Sequence, residues 1–191
     1  MTPQAASKKN SSVKFTYEDY LLFPDDGKRH ELIDGEHYMT PAPSTRHQRV
    51  SLNLSTLVQN FLMQKKIGTL YTAPCDVVLS DLDVVQPDLL FISAARASII
   101  TEKHIQGAPD LIVEIVSETT RKTDEIIKRK LYARHGVPEY WIVDPELETV
   151  KVYRMAEQGY VRTAELSREA GDMLSTPLLP GLQIPLSEVF A

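Results

Sequence analysis

Cysteine is nearly absent from this chain: among 191 residues only Cys75 carries a thiol. A single thiol excludes an intramolecular disulfide and any cysteine-rich zinc centre, and it suits a reducing compartment. Long apolar runs are missing as well. No stretch approaches the roughly 18 residues that a membrane span needs. The opening MTPQAASKKNSSVK has no apolar segment of the kind found in a secretory signal. A cytoplasmic protein without a membrane partner is therefore expected. Positive charge is also in short supply, with 21 Lys and Arg against 26 Asp and Glu, a net −5. That balance argues against nucleic-acid binding across the whole surface, but a local basic strip remains compatible with it.

What is present suits a globular protein: 42% hydrophobic and 25% charged residues. Residues 1–14, rich in Ser, Lys, Gln and Asn, read as a disordered arm, and 15–191 as a single domain. FTYEDYLLFP predicts a short helix capped by Thr16 and ended by Pro24. HELIDGEHYMTP predicts a β-hairpin turning at Asp34-Gly35. From about Ser44 to Lys66, Val50, Leu54, Leu57, Val58 and Phe61 recur on one helical face. IGTLYTA, CDVVLSD and QPDLLFIS follow as strands, with a mixed loop or short helix over 94–108. PDLIVEIVS is the next strand, and its echo of PDLLFIS suggests that the two are neighbours. A second helix is expected over about Thr120 to His135, capped by Gly136 and stopped by Pro138. EYWIVDP reads as a strand apolar on both faces, TVKVYRM and GYVRTAEL as an edge hairpin, and LLPGLQIPLSEVF as a tail that docks on the domain. The fold class is α/β (α+β): a central mixed β-sheet flanked by helices.

Three acids stand where burial should be resisted. Glu114 interrupts the apolar run of PDLIVEIVS, Asp88 opens the strand LLFIS, and Glu31 precedes the apolar pair Leu32-Ile33. Burying an unpaired carboxylate costs several kcal/mol on an order-of-magnitude basis. A hard divalent cation such as Mg²⁺ is the simplest group that reconciles several of them. Each acid has a plainer reading: Asp88 as the end of a turn, Glu31 as an exposed strand residue, Glu114 as half of a buried ion pair with Arg or Lys. Asp124, Lys128 and Tyr132 follow at i, i+4 and i+8, one stripe of the second helix. Ile127 and Leu131 beside them would anchor that helix to the sheet. Lys128 is then either a reach into the neighbouring strands or a solvent-facing partner of Asp124.

ELIDGE (31–36), PSTRHQRV (43–50), PDLLF (87–91), PDLIVEIVS (109–117), the Asp124/Lys128/Tyr132 spacing and GVPEYWIVD (136–144) occur in an order that resembles the PD-(D/E)XK nuclease superfamily. More closely, they resemble its Uma-two family of restriction-endonuclease-like proteins. The resemblance spans about residues 16–155 and implies a restriction endonuclease-like fold. It also implies Mg²⁺ (or Mn²⁺) bound by Asp88 and Glu114, helped by the Ile115 carbonyl, with Glu31 as a further acid of the catalytic set. The lysine expected two residues after Glu114 is replaced by Val116, and Lys128 matches the position to which this family is thought to have moved it.

Hydrolysis of DNA phosphodiester bonds is the activity so implied, with a homodimer expected for cutting two strands. Arg121, Lys122, Arg129, Lys130 and Arg134 would meet the phosphate backbone, or merely decorate a solvated helix. Tyr132 would position Lys128, contact a phosphate, or serve as a core-edge aromatic. Two rival readings stand beside this one. One is a nuclease-fold module without catalysis that binds nucleic acid or protein. The other is a hydrolase of another phosphate ester that uses His47, a residue that also reads as part of a helix cap.

Overall fold

The computed structural model describes residues 13–40 and 42–191; apart from residues 13 and 14, the arm expected over 1–14 lies outside them. The first helix, α1 (Tyr17–Tyr20), is held by a reciprocal cap. The Asp19 N–H donates to the Thr16 hydroxyl, and the Thr16 N–H donates to the Asp19 carboxylate at 2.8 Å. Strands β1 (Arg29–Ile33) and β2 (Glu36–Thr40) form the expected hairpin. Asp34 (φ 53°) and Gly35 (φ 73°) both take the positive φ that a type I′ turn demands.

Helix α2 (Thr45–Lys65) is capped by Ser44, whose hydroxyl accepts the His47 N–H at 3.2 Å. It buries Val50, Leu54, Val58 and Leu62 on one face, each such side chain contributing about 1.5–3 kcal/mol. Then come β3 (Gly68–Thr72), β4 (Val77–Ser80), β5 (Asp83–Val85), β6 (Leu89–Ser93), β7 (Ile105–Gln106) and β8 (Leu111–Ile115). A π-helical segment, Thr123–Lys128, runs directly into α3 (Arg129–Arg134), and Gly136 follows at φ 73° as the expected left-handed stop. Strands β9 (Glu139–Asp144), β10 (Thr149–Ala156) and β11 (Gly159–Ser167) are succeeded by β12 (Met173–Leu174), β13 (Ile184–Pro185) and α4 (Leu186–Val189).

The expected central sheet is divided. Six strands, ordered β11-β10-β9-β8-β6-β3, make the larger sheet, with β8 and β9 parallel and the other pairs antiparallel. Five strands, ordered β2-β1-β5-β4-β7, make a second sheet, and β12 pairs with β13. The division arises because β1 pairs with β5 through Leu32 and Val84 and not with the larger sheet. The two echoing segments are neighbours, with Leu89 opposite Val113 and Phe91 opposite Leu111.

Side chains alternate across a strand, and that parity assigns the two faces of the larger sheet. Leu111, Val113 and Ile115 join α2, together with Leu89, Phe91 and Trp141. Ile112 joins Leu90, Ile92, Leu131, Tyr132 and Tyr140 on the other face. Glu114 shares the parity of Ile112 and points toward α3 and the second sheet, whereas Asp88, just before β6, reaches both Arg29 of the second sheet and His47 of α2. The tail closes the α2 face with Leu179, Leu182, Ile184, Leu186, Val189 and Phe190.

Candidate active site

The antiparallel register pairs Leu89 with Val113, and Asp88 and Glu114 each stand one residue beyond that pair. Two carboxylates, one just before β6 and one near the end of β8, thus line the same cleft. Both are buried, as are Glu31, Asp124 and Lys128.

Lys128 ties the two sheets together. Its Nζ donates to Oε1 of Glu31 at 2.8 Å and to Oε1 of Glu114 at 3.0 Å, and it lies 3.8 Å from Asp124. The π-helical segment carries both Asp124 and Lys128 inward, and such wide turns recur at functional sites. Tyr140 donates its hydroxyl to the Asp124 carbonyl at 3.1 Å. Tyr132 is fully buried, and its hydroxyl donates to Oε1 of Glu114 at 2.6 Å. It faces the acid, not the surface where a phosphate backbone would lie.

Asp88 has a different set of partners. Oδ1 accepts from Nη1 of Arg29 at 2.7 Å, while Oδ2 accepts from the Ile115 N–H at 2.8 Å and contacts Nε2 of His47 at 3.1 Å. His47 thus both sits in the helix cap and touches the acid expected at the centre of the site. Glu31 also accepts the Gln86 N–H at 2.8 Å. Two buried atoms lack a hydrogen-bond partner among the described residues, Nδ1 of His47 and Oε1 of Gln86.

A cleft of about 110 Å³ opens onto this cluster; Arg29, Glu31, Asp88, Glu114, Asp124 and Lys128 line it. Four acids face two permanent cations there, so the side chains fall two positive charges short of balance. Burial first, and the neighbouring charges after it, set the proton affinities. Burial, reinforced by Asp124, Asp88 and Glu31 against the pull of Lys128, pushes the Glu114 carboxyl up to about 8. Burial likewise raises Asp124 to about 6. Burial opposes the charge on Lys128 too, but Glu114, Glu31 and Asp124 overcome it and hold the ammonium above its ordinary range. At Asp88 burial is outweighed by His47, Arg29 and the Ile115 N–H, which hold it down to about 2.

The donor set is chemically suited to Mg²⁺: hard carboxylate oxygens whose excess negative charge, once Glu114 and Asp124 are ionised, equals that of one divalent ion. Among the described residues no three His, Cys, Asp or Glu side chains form a ready-made metal cage. Mg²⁺ does not require one, because it commonly takes one or two carboxylates and keeps several waters.

Three of the five basic residues expected to meet a phosphate backbone are engaged within the chain. Arg121 pairs with Asp144, Arg129 lies 5.2 Å over the Tyr153 ring, and Arg134 pairs with Asp34 at 2.7 Å and Asp83 at 3.2 Å. Lys122 and Lys130 are exposed. Arg29 was not among the candidates drawn from the sequence, although its place two residues before Glu31 on β1 puts it on the same face. Asp124 stood in the stripe with Lys128 without a role of its own.

A family model described as "Putative restriction endonuclease", Uma2, matches residues 17–187. Among solved structures, a crystal structure of a putative nuclease belonging to DUF820 from Anabaena variabilis superposes with a TM-score of 0.77 at 20% identity. The match covers 92% of this chain and 97% of that one. The likeness shows a shared fold. No curated protein matches the chain. No helix among the described residues is long and apolar enough to cross a membrane.

Proposed function

The chain belongs to the Uma2 family, and from that premise we propose that it is a Mg²⁺-dependent nuclease that hydrolyses DNA phosphodiester bonds, with Mn²⁺ as an alternative ion. The observation that carries this reading is the position of Lys128, whose ammonium lies 3.0 Å from Glu114 although Val116 occupies the in-strand lysine position. A lysine delivered from the following helix needs only to bring its Nζ to the same space.

Asp88 and Glu114 would hold the ion. When bound, Mg²⁺ polarises a phosphoryl oxygen and lowers the pKa of a coordinated water. Lys128 offers the positive charge that orients the attacking water or offsets charge growing at phosphorus. Glu31 holds Lys128 from the opposite sheet, and Tyr132 fixes the rotamer of Glu114 from behind. The exposed Lys122 and Lys130 are left for the nucleic-acid backbone.

The competing reading, a binding module without catalysis, draws on the three donors that already occupy Asp88. Incubating purified protein with supercoiled plasmid and with single-stranded DNA, in Mg²⁺ or Mn²⁺ and in EDTA, separates the two. Metal-dependent cutting by wild type that disappears in Glu114→Gln supports the nuclease. Wild type that cuts neither substrate, or Glu114→Gln that cuts equally well, rejects it. Sedimentation of the same preparation tests the expected homodimer.

A further inference from the structure

We infer that Arg29 forms an anion subsite for a phosphodiester phosphate, and that it is reached by exchange: the guanidinium leaves Oδ1 of Asp88 for the phosphate and so frees that oxygen for the metal ion. The inference rests on the nuclease reading for the identity of that phosphate as the scissile one.

Three observations carry it. First, the partners of Asp88 are divided between its two oxygens. His47 and the Ile115 N–H both serve Oδ2, whereas Oδ1 depends on Arg29 at 2.7 Å. Loss of Arg29 therefore leaves the carboxylate anchored in place with one oxygen open. Second, Arg29 stands where three clefts meet. It lines the cleft of the acid cluster, a second bounded by Lys28, His47 and Ser51, and a third bounded by Ser44, Ser117 and Thr119. A chain of phosphates threaded along these clefts must pass this side chain. Third, only Nη1 of the guanidinium is engaged among the described residues, with Asp88 and, at 3.4 Å, the Gln86 carbonyl. The remaining N–H groups form the planar fork that matches two phosphate oxygens.

The exchange follows from charge. An anionic phosphate attracts the guanidinium away from Asp88, and the exposed oxygen then needs a cation in a site already short of positive charge. A metal ion and a phosphate would each assist the other's entry.

The test measures binding apart from cleavage. A short fluorescent single-stranded DNA is titrated in EDTA against wild type, Arg29→Gln and Arg29→Lys, and Mn²⁺ is titrated without DNA. Arg29→Gln is expected to bind DNA about tenfold more weakly or worse, the loss of a charge-assisted contact, while binding Mn²⁺ more tightly than wild type because Oδ1 is free. Unchanged DNA affinity in Arg29→Gln, or Mn²⁺ affinity no tighter than wild type, overturns the inference and leaves the nuclease reading intact. If Arg29→Gln does not fold in EDTA, Arg29→Lys decides: it keeps a charge for Asp88 without the fork, and wild-type DNA affinity in it overturns the subsite. Wild type that shows this binding pattern yet cuts no DNA rejects the nuclease reading and leaves the subsite standing.

Discussion

Tyr132 places its hydroxyl 2.6 Å from Oε1 of Glu114, the same oxygen that takes the Lys128 ammonium at 3.0 Å. One carboxylate oxygen is therefore held by two donors from one helical segment. Donors to the charged form of an acid favour ionisation. Tyr132→Phe preserves the ring and its packing against Tyr140 but deletes one of these donors. It should cost about 1–3 kcal/mol of stability and weaken Mn²⁺ binding at neutral pH, with the wild-type affinity approached at higher pH. Calorimetric titration across pH checks this, and a pH-independent affinity equal to wild type would contradict it.

The metal-free protein should lose stability as pH rises through neutrality. Glu114 and Asp124 are raised to about 8 and about 6 from ordinary values of 4.5 and 3.8. Between the ordinary and raised values the native state binds more protons than the unfolded state, so stability falls with increasing pH. Asp88 works in the opposite sense: held down to about 2, it contributes stability that is lost as pH falls below about 4. Thermal melts in EDTA should therefore be highest on the acid side of neutrality, and Mn²⁺ should flatten the alkaline decline. A melting temperature that climbs steadily from about pH 5 to pH 8 in EDTA would run against the linkage.

How much of this was legible in the sequence depends on the range of the interaction. Asp34-Gly35, the Ser44 cap, the apolar stripe of α2 and the Gly136 stop are local, and residue identity within a few positions determines them. The nearness of Asp88 and Glu114 was also within reach, because antiparallel pairing of two similar strands brings an acid at the start of one near an acid late in the other. The division into two sheets was not. It depends on Leu32 meeting Val84, and β5, at three residues, is too short to display a period. The reach of Lys128 to Glu31 and the hold of Arg29 on Asp88 join segments distant in the chain, where long side chains leave no periodic trace. The basic run after Ser117 illustrates the converse, since composition suggested a free surface while Arg121, Arg129 and Arg134 found partners inside the chain.

Gly68 offers a substitution that should separate stability from chemistry. A Cβ at this position would collide with the Ile92 carbonyl oxygen and lie 2.5 Å from Cε2 of Phe91. The backbone of β6 cannot retreat without disturbing its pairing with β8. Gly68→Ala should thus destabilise by about 1–3 kcal/mol, as overpacking does, while the cleavage that the proposed function predicts stays at the wild-type rate for the folded fraction, because β3 contributes no group to the cleft. Urea unfolding beside initial rates checks both halves, and unchanged stability would show that β3 shifts freely.

Lys128 and Glu114 should behave as a coupled pair. Lys128→Met removes the single ammonium shared by Glu31, Glu114 and Asp124, and stripping one partner from buried charges costs about 3–5 kcal/mol. Glu114→Gln costs less, because Lys128 retains Glu31 at 2.8 Å and the substituted amide no longer adds to the crowding of like charge. Above about pH 8, where Glu114 is ionised, the methionine of the double variant no longer abandons a charged Glu114, so the two losses should sum to more than the double variant shows, by about 0.5–3 kcal/mol. Denaturant unfolding of the four proteins in EDTA measures that difference directly. Strict additivity would mean that the two groups ignore each other despite their 3.0 Å separation, and it would remove the electrostatic basis for assigning Lys128 to the site.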